Sequence, residues 1–154
     1  MGDQYLISPP AVPTEDLSGE LGQRLLRLLT RQAERDLQWL QTECAGRIVG
    51  HDYTPLVREP SRRPAHPLHL AHQISDCALQ FAVLALFGPD EEVAGHSRQD
   101  LRTVALGLLR ALCATHPVAD PPAGCTVQWD RFDWLRHDFV IGLALWLLWE
   151  DVDE

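Results

Sequence analysis

Two short polar stripes hold most of the side chains in this sequence that could do chemistry together. The first is His69, His72, Gln73, Asp76 and Gln80, which fall within roughly 100° of arc if each residue advances about 100° along a helix. It has two imidazoles, a carboxylate and two amides, and no Arg or Glu. His72 and Asp76 stand one helical turn apart, where carboxylate and imidazole can share a cation or tune each other's protonation. The second stripe reverses the pairing: Asp133 and His137 are one turn apart, with Asp138 beside them. If the two helices face each other, His69, His72, Asp76, Asp133 and His137 converge on one divalent transition metal or form an acid/base pair. Imidazole and carboxylate ligands projecting from facing helices are one way to build a metal site in a bundle. The competing expectation is that both stripes face water, the commoner fate of a short polar stripe. Neither a Glu-x-x-His nor a His-Glu-x-x-His signature is present, so no cofactor is expected outright.

The run His66-Pro67-Leu68-His69-Leu70-Ala71-His72 resembles the second helix of DinB/YfiT-type bundles, whose metal is held by three histidines. The likeness covers about one helix. That family also draws a His-x-x-x-His pair from its last helix, and Asp133 stands where the first of those histidines is needed. Membership is not inferred from it.

Other chemistries are excluded by residue type. The 154-residue chain has no lysine, its 13 basic residues all being arginine, so a Schiff-base lysine, a pyridoxal-phosphate anchor and a phosphate-loop lysine are impossible. No Gly-x-Ser-x-Gly elbow, dinucleotide fingerprint or calcium loop occurs. A net charge of −9 opposes non-specific binding to nucleic acid and to anionic membranes. The amino terminus lacks the basic and apolar regions of a signal peptide, and the longest apolar run, 139–149, is too short to span a bilayer. Cys44, Cys77, Cys113 and Cys125 are scattered, with no Cys-x-x-Cys pair. They read as reduced thiols in a cytoplasmic protein, the first three on or beside apolar stripes and so expected in the core.

The elements that would position these residues are helical. Twenty-five leucines against ten valines and four isoleucines favour helix over strand, because β-branched residues suit the pleat. Leu17, Leu21, Leu25, Leu28, Leu29, Ala33, Leu37, Leu40 and Cys44 recur every three or four residues, predicting a first helix from Thr14 to Gly46. The stretch 46–66 is interrupted by Pro55, Pro60 and Pro64 and reads as a long connection, a lid carrying His51, Asp52 and Tyr53 if the protein is an enzyme. A second helix follows Pro67, with Leu70, Ala71, Ile74, Cys77, Ala78, Phe81, Ala82 and Ala85 inward, and stops at Gly88-Pro89. Ser97 and Asp100 form a capping box for a third, with Leu101, Val104, Ala105, Leu108, Leu109 and Leu112 inward. A fourth runs from about Asp130 to Glu150. The expected architecture is an all-α, four-helix bundle-like single domain with a long Pro- and Arg-containing loop between helices one and two. Residues 1–13 form a flexible lead, 14–150 the helical domain and 151–154 an acidic tail.

Two further features suggest contact with another protein. Arg24, Arg27, Arg31 and Arg35 lie along one side of the first helix, and like charges so spaced repel unless acids lie opposite. The alternative is a solvated face. The fourth helix, with Trp134, Trp146 and Trp149 among leucines, is apolar nearly all round, so it is either the central helix or part of a homodimer interface. The leading expectation is therefore a non-catalytic helical protein-interaction protein: an accessory subunit, adaptor or immunity-type factor. Its partner-binding residues would be Arg24, Arg27, Arg31, Arg35, Trp146 and Trp149. The alternative is a small helical-bundle metalloprotein or enzyme using the two His/Asp stripes.

Overall fold

The computed structural model describes residues 17, 19–44, 48, 50–58, 68–116 and 134–152. They are helical, with no strand among the described residues. Helix α1 spans Glu20–Cys44, α2 Thr54–Arg58, α3 Leu68–Phe87, α4 Arg98–Thr115, α5 Trp134–Leu147 and α6 Trp149–Val152. The expected start of α1 at Thr14 lies outside the described residues. Leu17 and Gly19 are not α-helical, and Gly19 gives its carbonyl to the Gln23 amide at 2.9 Å. Within the supposed loop, α2 forms because the Asp52 carboxylate accepts from the Thr54 amide at 2.9 Å. Pro55 then sits in the first turn, where a missing N–H costs nothing.

Helix α3 is the centre of the fold, with α1, α4 and α5 all packed on it. Its predicted stripe is inward: Ile74, Cys77, Ala78, Phe81 and Ala82 are buried. Ser75 and Leu84 on other sides are buried too, so α3 is enclosed nearly all round. It runs antiparallel to α1: Gln80 donates to the Leu29 carbonyl, and Asp36 meets Cys77. A Val93–His96 turn joins α3 to α4, with positive φ at Ala94 (51°) and Gly95 (80°). That pair of left-handed residues makes the tight reversal glycine favours. Arg98 reaches back to the Gly88 and Pro89 carbonyls at the end of α3.

Helix α4 follows its sequence pattern closely. The Ser97 hydroxyl accepts from the Asp100 amide, and the Asp100 carboxylate accepts from the Ser97 amide at 2.8 Å. All six predicted inward residues, Leu101, Val104, Ala105, Leu108, Leu109 and Leu112, are buried. Gly107 lets α2 approach: a Cβ there would stand 2.4 Å from the His51 carbonyl and 2.7 Å from the Tyr53 ring. Helices α4 and α5 are antiparallel. His116 at the end of α4 meets Asp138 near the start of α5 at 2.9 Å. Arg102 near the start of α4 meets Asp151 of α6 at 3.0 Å, a charge contact without hydrogen-bond alignment.

Two expectations are corrected here. Helix α5 is not the central helix; Phe139 on it is 70% exposed. Cys113 is not a core residue but exposed, whereas Cys77 is buried as expected.

Candidate contact surface

The first half of α1 turns leucines outward. Leu21, Leu25 and Leu28 are 82%, 47% and 56% exposed, while Gly22, Leu26 and Ala33 take the inward positions. The apolar stripe here is wider than the face the core needs. With about 100° per residue, the leucines cluster one quarter-turn from the buried face, and Arg24, Arg31 and Arg35 follow on their far side. Arg27 lies further round. All four arginines are exposed, and none makes an ion pair or hydrogen bond among the described residues. The result is a two-turn apolar strip with a cationic border.

Where α1 becomes buried, it carries a polar group. Asp36 is 8% exposed, accepts from the Gln32 amide at 3.1 and 3.3 Å, and takes a hydrogen bond from the Cys77 thiol. Burial raises its pKa above the ordinary carboxylate value of 3.8, as does the nearby Asp76 charge, against the lowering pull of Gln32, Arg35 and Cys77. The Cys77 thiol is itself pushed well up by burial and by both carboxylates, which makes it a poor nucleophile. The Cys113 thiol, exposed at its surface, is raised only by partial desolvation from the groups packed around it.

Between α1, the segment that leads into α2, and α4 lies a cleft of ≈ 230 Å³. Leu37, Leu40, Tyr53 and Val104 wall it, and Gln41 and His96 stand at its rim, their side-chain nitrogens 3.5 Å apart. The Ser97 contacts hold the nearby Asp100 carboxyl below the usual range, with smaller help from His96 and His51. Of the expected lid residues His51, Asp52 and Tyr53, Tyr53 lines this cleft, whereas His96 beside it belongs to no motif in the sequence.

Of the proposed metal set, only the Asp76 side chain is described: it is exposed on α3 and close enough to Asp36 to repel it. The side chains of His69, His72 and His137, and Asp133 as a whole, lie outside the described residues. Gln80 leaves the polar stripe, being buried and bonded to the Leu29 carbonyl at 2.6 Å. Among the described residues no three His, Cys, Asp or Glu gather as a metal cluster, and no helix is long and apolar enough to cross a membrane. Trp146 is half-buried and Trp149 exposed. Comparison with family models, curated proteins and solved structures finds no match.

Proposed function

We propose that this is a non-catalytic protein-interaction protein, an accessory subunit, adaptor or immunity-type factor with a bundle-like helical body working in the cytoplasm. The observation that carries the reading is the exposed Leu21–Leu25–Leu28 strip bordered by Arg24, Arg31 and Arg35. Contiguous exposed apolar surface rimmed by charge is the usual mark of a protein contact. Arginine serves there because its guanidinium is weakly hydrated and binds carboxylates in a fixed fork. The test is a photo-crosslinking amino acid at position 28, beside a control at exposed Arg110 on α4. A discrete adduct from position 28 that Leu21→Glu abolishes supports the reading; no adduct, or equal adducts from both positions, rejects it.

A second reading, a metalloprotein using His69, His72, Asp76, Asp133 and His137, is favoured by one observation. The Asp36 carboxylate stands close to Asp76, one turn from His72 in sequence, and two repelling carboxylates gain from a shared cation. Stoichiometric divalent metal in tag-free protein, lost in His72→Ala and His137→Ala without unfolding, would establish it in place of the first.

A further inference from the structure

Six large apolar side chains are exposed among the described residues, and they divide between two places. Leu21, Leu25 and Leu28 are on α1; Phe139, Trp149 and Val152 are on α5 and α6. On α5, Phe139 is followed at four and seven residues by half-buried Leu143 and Trp146, the same spacing as the α1 leucines. Both helices therefore show a two-turn apolar stripe. Their borders differ in sign. Arginines edge the α1 stripe, whereas exposed Glu150 and the acids that follow it in sequence lie beyond the α5 stripe.

Gly142 adds an independent observation. It is exposed between Phe139 and Trp146, and nothing lies within 4 Å of where its Cβ would stand. Glycine inside a helix is destabilising relative to alanine, and no group among the described residues needs the space. A side chain arriving from outside would need it.

We propose that the α1 stripe of one copy of the chain docks on the α5 stripe of a second copy. The inference rests on α1 being a contact surface and names its occupant. Charge selects the direction. With the helices parallel, Leu21, Leu25 and Leu28 face Phe139, Leu143 and Trp146, and Arg31 falls near the register position of exposed Glu150. The antiparallel register instead carries Arg31 and Arg35 to the end of α5 away from Glu150. Pairing α1 antiparallel with a second α1 brings like arginine rows together, which costs binding. Leucines supply the apolar contact, Gly142 admits Leu25 closely, and the charges fix register. Because the two faces are different surfaces, the contact is heterologous and closes or propagates according to its rotation.

The experiment is sedimentation of wild type, Leu25→Glu and Phe139→Arg, alone and mixed, with helix content checked by circular dichroism. Wild-type mass should rise with concentration and fall back with salt. Each variant should self-associate roughly tenfold or more weakly, since it sets a charge in the contact. An equimolar mixture should form a one-to-one dimer and stop there, because Leu25→Glu keeps its α5 face and Phe139→Arg its α1 face. A wild type that stays monomeric, a variant that still associates, or a mixture that stays monomeric overturns the proposal. The position-28 crosslink separates the failures. An adduct of twice the chain mass belongs to self-association. With a monomeric wild type, a foreign adduct leaves the contact reading standing, and no adduct removes both.

Discussion

Helices α3 and α5 are built from much the same residues and meet opposite fates. Both are runs of Leu, Ala and aromatics with few charges. Helix α3 has a neighbour on three sides, and even Ser75 and Gln80 are buried. Helix α5 buries Val140, Ile141, Ala144 and nearby Leu148, but leaves Phe139 exposed and Leu143 and Trp146 half-covered. Apolar composition thus says how much surface a helix would gain from burying, and the neighbours decide how much is buried. The uncovered remainder on α5 is apolar surface that the monomer leaves in water.

The sharpest way to break the comparison is to truncate one aromatic from each helix. Phe81→Ala on α3, where the ring is fully buried, should lower unfolding free energy by about 3–5 kcal/mol. Phe139→Ala on α5 should leave the monomer's stability within about 0.5 kcal/mol, measured by urea unfolding at low protein concentration. Equal losses would mean that α5 is as enclosed as α3.

The enclosure of α3 also presses on its neighbour. The Asp36 carboxyl has a folded pKa above its unfolded value near 3.8, so it is accommodated when protonated and disfavoured when ionised. Its effect on stability is absent at pH well below 3.8 and becomes a loss as pH rises through the unfolded and then the folded pKa. Asp36→Asn keeps the Gln32 and Cys77 contacts without the charge. Its Tm should exceed that of wild type at neutral pH, with the gap closing in acid; a lower Tm at neutral pH would show that the ionised carboxylate is well solvated.

A small gain is expected from Gly142→Ala on α5. If the exposed face is open in the monomer, alanine should raise stability by about 0.5–1 kcal/mol while weakening self-association. A destabilised monomer would mean that the space is already filled.

How far the sequence could be read follows the same divide. Helix α4 was legible in its start and its six inward residues, because a capping box and a stripe of one width state both, though not in Cys113 at its end. The second half of α1 was also legible in Ala33, Leu37 and Leu40. In its first half the helix was legible but the exposure of Leu21, Leu25 and Leu28 was not, since they keep the periodicity of a buried stripe without a neighbour to cover them. Helix α2 was missed because five residues are too few for periodicity, although Asp52, Thr54 and Pro55 spell a helix start. Arg24, Arg27, Arg31 and Arg35 were found on one side of α1 as expected. The apolar strip beside them was hidden, because a leucine's exposure depends on what lies opposite. The cleft was invisible for a similar reason: His96 and Tyr53 are far apart in sequence and line it together only in the folded chain.

Gly107 has a consequence for the order of assembly. Tyr53 rests where α4 shows bare backbone, and α2 packs chiefly on α4. That seat exists only once α4 has coiled and brought Gly107 to the right side. Helix α2, with five residues, is too short to persist alone. It should therefore form late in folding and open early in unfolding, seated on a notch one methyl group would close. Amide exchange should find α2 opening while α4 beneath it stays shut.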